Sequence, residues 1–284
     1  MDKAVERAIQ CIWERYSEPL TLTDIAESAL LSRFYFARLF KEETGLTPGR
    51  FLAAVRIHEA KRLIARTSMS ITEISGAVGY NSLGSFTNYF TASVGVSPGR
   101  FRRLVRAGEI GFPSPQPGTG SGLGSVAGTI SLPEGHGNAR VYLGAFRTPI
   151  VQHPCVASVV VDVPGGRPCC YSLPGVPEGS WHLLAVAVAD GVGPDARSRR
   201  TPLVGSHLSV TVVADGVTSA AMRLRPRRPT DPPVLLALPE LEPPAAVAPD
   251  PGCAAATLRP AVDGRRRTAD RRRAAVAAPA RSHP

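Results

Sequence analysis

The stretch 32-SRFYFARLFKEETGLTPGRF-51 decides the fold of the first part of this 284-residue chain, because a second version of it follows as 82-SLGSFTNYFTASVGVSPGRF-101. The shared positions are Phe36 with Phe86, Phe40 with Phe90, Pro48 with Pro98 and Phe51 with Phe101, each pair 50 residues apart. Further upstream, Leu22 matches Ile71 at a separation of 49, so one extra residue has entered near Asn81. The two stretches are copies of one structural unit.

Each copy carries the start and stop signals of two successive helices. A hydroxyl residue is followed three positions on by an acidic residue, which is the capping-box arrangement at a helix N-terminus. These pairs are Thr21 with Asp24 and Ser70 with Glu73. A short helix, a tight turn and a longer helix ending at Gly45 or Gly95 follow, and this order predicts a helix-turn-helix whose second helix faces the DNA major groove.

The spacing of apolar residues separates core positions from contact positions in the first of these longer helices. Phe36, Leu39 and Phe40 share the inward face. The opposite face presents the candidate contact residues Arg33, Phe34, Ala37, Arg38 and Lys41. Arginine can bond both acceptors of a guanine edge, and an apolar ring can meet a thymine methyl group. Any single arginine here would suit an ordinary solvated helix face equally well, and it is the duplication that favours DNA recognition.

The residues between and before the two units complete a helical domain. Residues 47–66 read as one long helix, and at ~1.5 Å per residue it spans close to ~30 Å, near the ~34 Å of one DNA turn. Two recognition helices can then enter successive major grooves. A core helix from Lys3 to Tyr16 precedes the first unit.

Residues 1 to about 105 resemble the DNA-binding domain of the AraC/XylS regulators, on the strength of LSRFYFARLFKEETGLTPGRFL (31–52), ITEISGAVGYNS (71–82), FTNYF (86–90) and GVSPGRFRR (95–103). The resemblance implies seven helices, recognition helices at about 32–43 and 82–92, and binding to double-stranded promoter DNA as an activator or repressor, with RNA polymerase as a partner. It also implies base contacts from Arg33, Phe34, Ala37 and Arg38 and a backbone contact from Lys41.

The second recognition helix departs from that family pattern. Its candidate DNA-binding residues are Ser82, Leu83, Gly84, Thr87 and Asn88. Asn88 stands where such proteins commonly have an arginine, and Gly84 weakens the helix by up to ~1 kcal/mol relative to alanine. This unit is expected to read DNA loosely or to read adenine through Asn88. Most of the specificity is therefore expected from Arg33 and Arg38.

Composition divides the remainder of the chain. Residues 108–125 are rich in glycine, proline and serine and predict a flexible linker. Short β-branched runs in 126–226 predict an all-β sandwich, weakly similar to prealbumin-like or carboxypeptidase-regulatory-like modules. Residues 227–284, rich in proline, alanine and arginine, are expected to be largely disordered. The arginine triplets in 265–273 read either as a solvated tail or as a source of extra nonspecific DNA affinity.

Charge and cysteine content point to an intracellular DNA-binding protein. The net charge is +10, although arginine-rich coding bias can produce the same excess. Lys and Arg outnumber Asp and Glu by 15 to 10 in residues 1–107 and by only 8 to 7 in 108–226. Five cysteines without zinc-site spacing fit a reduced compartment. With no signal core and no apolar run long enough for a membrane, the expected location is the cytoplasm, on the nucleoid.

The β part leaves several roles open. It can bind a small-molecule effector, mediate self-association or hold a protein partner through a strand edge. A DNA-binding scaffold that recruits another protein is the alternative to an effector-controlled regulator. An enzyme with a DNA-binding appendage is disfavoured, because no nucleophile, base and orienting group can be assembled from the sequence. The scattered histidines, including His153 and His182, pair with no carboxylate at ligand spacing. No metal or cofactor is expected.

Overall fold

The computed structural model describes residues 2–116, 122–191 and 199–247. Seven helices occupy the first part of this described chain. They are α1 (Lys3–Arg15), α2 (Leu22–Ser28), α3 (Arg33–Thr44), α4 (Pro48–Arg66), α5 (Ile71–Ala77), α6 (Leu83–Val94) and α7 (Pro98–Ala107). The two predicted helix-turn-helix units are α2–α3 and α5–α6, joined by α4. Among the described residues, no helix is both long enough and apolar enough to cross a membrane.

The helix boundaries follow from local hydrogen bonding. In both predicted capping boxes the hydroxyl accepts from the backbone N–H three residues on, and the acidic side chain accepts from the backbone N–H of the cap residue. α3 and α6 end at Gly45 and Gly95, whose φ values of 74° and 90° lie in the left-handed region that glycine adopts without steric cost. The predicted starts and stops of the two units are confirmed.

The phenylalanines common to both units form the centre of the helical core. Phe36, Phe40, Phe86 and Phe90 are fully buried. Within each unit the rings pack edge to face or tilted, with centroids 5.5 Å apart for the first pair and 5.6 Å for the second. Such pairs add stability beyond the burial of their area. The repeat in the sequence is therefore a repeat of core packing.

The second part of the chain consists of β-sheets. Its strands are β1 (Leu123–Ser131), β2 (Ala139–Phe146), β3 (Ala157–Val163), β4 (Cys169–Pro177), β5 (Gly179–Ala189), β6 (Thr201–Val212), β7 (Val217–Ser219), β8 (Met222–Arg223) and β9 (Arg225–Pro226). One sheet has the order β4-β1-β7 with β8 also paired to β1, and the other has the order β3-β2-β5-β6-β9. Alternate residues of both sheets, such as Val126 and Leu143, enter one buried apolar cluster.

Two features of the β part differ from the sequence-based expectation. β1 begins at Leu123, inside the predicted linker 108–125, and pairs antiparallel with β4. β4 contains Pro174 and Gly175, and the β1–β4 register shifts at this point, from Gly124 opposite Val176 to Val126 opposite Leu173, so the two residues lie at an irregularity within an otherwise antiparallel pair. A β-strand depends on its neighbour more than on its own composition.

The segment 227–247, which was expected to belong to a disordered tail, is packed against both parts of the described chain. Leu235 is fully buried in the core of the helical part, and Leu236 is fully buried in a separate cluster on the outer face of β2, β5 and β6. Burial of these leucines offsets the entropy cost of ordering a proline-rich segment. The rest of the expected tail, with both arginine triplets, lies outside the described residues.

Hydrogen bonds to α4 and α6 fix this packing to the helices. The Nζ of Lys61 on α4 donates to the carbonyl oxygens of Val234, Leu235 and Leu236 at 3.3, 2.9 and 2.8 Å. The backbone N–H of Ala237 donates to the carbonyl of Val94 at the end of α6. The two parts of the described chain therefore meet along a hydrogen-bonded boundary.

Candidate nucleic-acid interface

α3 presents the predicted contact face to solvent. Arg33, Phe34, Arg38 and Lys41 are exposed, and Ala37 is half-buried. Phe34 is 78% exposed, which is unusual for a large apolar ring in a helix that has a core face of its own. A ring in this position is available to contact apolar groups of a partner. The sequence-derived assignment of inward and outward faces is confirmed for this helix.

The basic side chains of α3 are arranged by neighbouring rings and not by strong ion pairs. The guanidinium of Arg33 lies 4.8 Å from the centre of the Phe34 ring, and that of Arg38 lies 5.8 Å from the centre of the Tyr35 ring. The Nε of Arg38 is 3.7 Å from a carboxylate oxygen of Glu42, with both side chains largely exposed. An exposed pair of this length is worth little. Arg38 can therefore exchange Glu42 for a phosphate or a base at small cost.

α6 exposes the equivalent face with different chemistry. Ser82, Leu83, Gly84 and Asn88 are exposed and Thr87 is half-buried. From the cap residue to the second core phenylalanine, residues 32–40 and 82–90 have the same burial class at every position. The first face carries two arginines, whereas the second carries a small apolar and amide surface. The two units share a framework and differ in contact chemistry, as the sequence comparison predicts.

The starts of the two recognition helices differ in one hydrogen bond. The Oγ of Ser82 accepts from the backbone N–H of Ser85 at 3.1 Å, whereas Ser32, at the equivalent position, makes no side-chain capping bond. The N-terminal N–H groups of α3 thus keep their capacity to bind an anion such as a phosphate oxygen. No sequence pattern distinguishes Ser32 from Ser82 in this respect.

Two further exposed arginines border the interface and were also missed. Arg50 and Arg100 occupy equivalent places just after the two units, in the first turn of α4 and of α7. In each case the backbone N–H of the arginine donates to the capping hydroxyl, Thr47 or Ser97. This bond fixes the backbone position from which the arginine side chain extends. The repeated PGRF motif was the signal that would have found them.

The β part reaches the recognition helices at their C-terminal ends, not at their exposed faces. In the loop between β2 and β3, the N–H of His153 donates to the carbonyl of Ser93, and the His153 ring lies beside Gly95. Pro149 in the same loop lies beside Gly45 at the end of α3. One loop therefore contacts the ends of both recognition helices and leaves the faces that would meet DNA open.

Two half-buried basic residues lie on α4. Burial lowers the pKa of Lys61 to about 7, and the three carbonyl oxygens that surround its Nζ favour the ammonium form. Burial, with the nearby charges of Arg227 and Lys61, lowers the pKa of His58 to about 4, so this imidazole is neutral at pH 7. Both groups belong to the boundary with the segment 227–247.

No group of three or more histidine, cysteine or acidic side chains is placed to hold a metal ion in the part of the chain that the structure describes. His182 lies within β5 and burial lowers its pKa.

The comparisons with known proteins concern the helical part. Residues 25–104 match a family model described as a helix-turn-helix domain. The chain is 35% identical over 98 residues to an uncharacterized HTH-type transcriptional regulator of Bacillus subtilis, YobQ, covering 34% of this chain and 41% of that protein. It is 31% identical over 109 residues to the melibiose operon regulatory protein of Escherichia coli, covering 38% of this chain and 36% of that protein. The chain thus matches about two fifths of these relatives' length.

Among solved structures, the chain is similar to the C-terminal domain of AraT, a response regulator from Geobacillus stearothermophilus. The sequence identity is 35% and the TM-score is 0.35, and the alignment covers 36% of this chain and 86% of that chain.

Proposed function

We propose that this chain, whose residues 25–104 form an AraC-type helix-turn-helix domain, is a sequence-specific transcription regulator that acts at bacterial promoters through both helix-turn-helix units. The observation that carries the proposal is the identical pattern of exposure in residues 32–40 and 82–90. Two recognition helices that expose the same positions, joined by the 19-residue helix α4, suit binding along one side of a DNA duplex.

The first unit supplies most of the sequence reading in this proposal. Arg33 and Arg38 bond guanine edges, Phe34 and Ala37 contact thymine methyl groups, and Lys41 binds the backbone. The second unit contributes position through Ser82, Leu83, Gly84 and Thr87, and Asn88 reads adenine. The relatives that the helical part matches are named as regulators and not as enzymes, which supports a role without catalysis.

The regulator contacts RNA polymerase at the promoter and resides in the cytoplasm on the nucleoid.

We propose two domains, residues 1–107 and 126–226, with the β domain belonging to the prealbumin-like or carboxypeptidase-regulatory-like sandwich type. Its role is to receive a small-molecule effector. Its junction with the ends of α3 and α6 supports this role over a scaffold that only recruits another protein.

The test is footprinting of the full chain on the DNA upstream of its own gene. We expect a protected site covering two successive major grooves on one side of the duplex at moderate salt. The Arg33→Ala/Arg38→Ala variant should lose protection, whereas Arg167→Ala, at an exposed position of the β domain, should keep it. An absence of any protected site for the unmodified chain would contradict the regulator proposal.

A further inference from the structure

The C-terminal ends of the two recognition helices differ in their hydrogen-bond partners. At the end of α6, the carbonyls of Ser93 and Val94 accept hydrogen bonds from the backbone N–H groups of His153 and Ala237. At the end of α3 the equivalent carbonyls, 50 residues earlier, belong to Glu43 and Thr44. Within the described chain neither of these two carbonyls accepts a hydrogen bond. The end of α3 instead faces a cavity.

This cavity has a volume of about 230 Å³ and lies between the last turn of α3 and the outer face of the five-stranded sheet. Its floor is formed by Leu184, Val186 and Val204 on β5 and β6, and Pro149 and Val234 close its sides. An apolar cavity of about 150 Å³ is enough to hold a benzene molecule. A single substituted ring or a branched aliphatic group therefore fits.

Charge at the cavity favours a cation. Glu42 and Glu43 line its helical side, and among the described residues Glu43 makes no ion pair. The C-terminal end of a helix carries a partial negative charge, which adds to that of the carboxylates. The other charged pair in the lining is internally satisfied, because both terminal nitrogens of Arg225 donate to the carboxylate of Asp231. Because Glu42 also lies 3.7 Å from Arg38, the Glu43 carboxylate is the negative charge that remains for a ligand.

We propose that this cavity is a binding site for a small apolar monocation, an ammonium group carried on an aromatic or aliphatic body. The ammonium donates to the Glu43 carboxylate and to the open carbonyls at the end of α3, and the apolar body covers Leu184, Val186 and Val204. The ligand donates hydrogen bonds to the carbonyls at the end of α3, as the backbone N–H groups of His153 and Ala237 do at the end of α6.

The site is coupled to DNA binding by position, and this step rests on the proposed function. α3 is one 12-residue helix, and its last turn lines the cavity while its first two turns carry Arg33 and Arg38. A ligand that binds one placement of α3 better than another shifts the affinity for the operator. A larger crevice of about 890 Å³ near Trp13 is lined by α1 and no recognition helix, so it lacks this connection.

The test is isothermal titration of the full chain, without DNA, using three probes of one size: benzylammonium, benzyl alcohol and benzoate. We expect benzylammonium to bind about tenfold more tightly than benzyl alcohol and benzoate to bind most weakly. Glu43→Gln should remove this preference. Glu27→Gln, which changes the same charge at an exposed position of α2, should preserve it. Val204→Phe should fill the cavity and abolish binding of all three probes.

Equal affinity for the three probes, no binding of benzylammonium, or binding that survives Val204→Phe would overturn the site. Because these titrations contain no DNA, their outcome does not depend on whether the chain recognises a promoter. The coupling is tested separately, by operator affinity with and without saturating benzylammonium. A change of about fivefold or more supports coupling, and an unchanged affinity overturns it while leaving the regulator proposal in place.

Discussion

The Nζ of Lys61 donates a hydrogen bond of 2.8 Å to the carbonyl oxygen of Leu236. This bond joins the helix between the two helix-turn-helix units to a segment that follows the β-strands in the sequence. With the carbonyls of Val234 and Leu235 on the same nitrogen, one side chain holds three successive peptide groups. Lys61 is therefore a structural lysine, in contrast to the exposed Lys41.

Replacing Lys61 with methionine should destabilise the chain by about 2–4 kcal/mol, because the three carbonyls lose their donor while they stay partly buried. Urea denaturation measures the change in the free energy of unfolding. Lys41→Met is the matched control and should change it by less than about 0.5 kcal/mol, since Lys41 is exposed. Equal effects of the two substitutions would contradict the role given to Lys61.

His58 makes the stability depend on pH in the acid range. Its pKa is about 4 in the folded chain against 6.5 ordinarily, so between these values the unfolded chain binds more protons. Stability should therefore fall as pH decreases from about 6.5 to about 4, with about 2 kcal/mol due to His58 after allowance for its partial exposure.

The variant His58→Gln isolates that contribution, because carboxylate protonation affects both chains alike. Denaturation curves at a series of pH values should show a smaller loss for His58→Gln. Parallel pH profiles for the two proteins would show that the imidazole makes no difference.

Arg38→Ala should weaken binding to the protected operator by about 1–3 kcal/mol and relax specificity at one base pair. Lys41→Ala, which removes a backbone contact, should weaken binding to operator and random DNA by similar amounts. Gel-shift titrations with both DNAs measure these effects. An unchanged midpoint for Arg38→Ala on the operator would remove Arg38 from the proposed base contacts.

Asn88→Ala should cost less operator affinity than either Arg33→Ala or Arg38→Ala, because α6 carries no charged residue. The loss should be confined to sites that contain one particular adenine, since an amide pairs with its N6 and N7 groups. Gel shifts on operators with single base-pair changes test this. A larger loss for Asn88→Ala than for Arg38→Ala would reverse the ranking of the two units.

Gly95→Ala should destabilise the chain more than Gly108→Ala. Both glycines have positive φ, 90° and 69°, so both substitutions carry a backbone cost of about 1–2 kcal/mol. A Cβ at Gly95 would lie 3.2 Å from the His153 ring, whereas a Cβ at Gly108 would meet nothing within 4 Å. Urea denaturation should separate the two variants, and identical midpoints would argue against close packing of His153 on α6.

The helical part could be predicted almost completely from sequence, because its signals are local. Capping pairs such as Thr21 with Asp24, the stop at Gly45 and the inward spacing of Phe36 and Phe40 each act within a few residues. The exposed faces of both recognition helices follow from that spacing. Their contacts with bases remain predictions.

The packing of 234-VLLAL-238 could not be predicted, because nothing local specifies it. The run is short and prolines flank it. Its residues alternate between two clusters: Leu235 and Ala237 enter the helical core, and Leu236 enters the cluster on the outer face of the sheet. The partner of such a segment is visible only in three dimensions. The same applies to the cavity at α3, which arises from elements more than 100 residues apart.

The placement of residues 234–241 determines how this protein can be shortened. A version that stops at the end of β9 would keep the seven helices and nine strands seen in the described residues and yet expose the surfaces that Leu235 and Leu236 now cover. Such a protein would tend to aggregate, and the helical part would lose the hydrogen bonds that Lys61 and Val94 make with residues 234–237. Recombinant versions intended for crystallisation or for exchange of the β part should therefore retain the chain through Leu241.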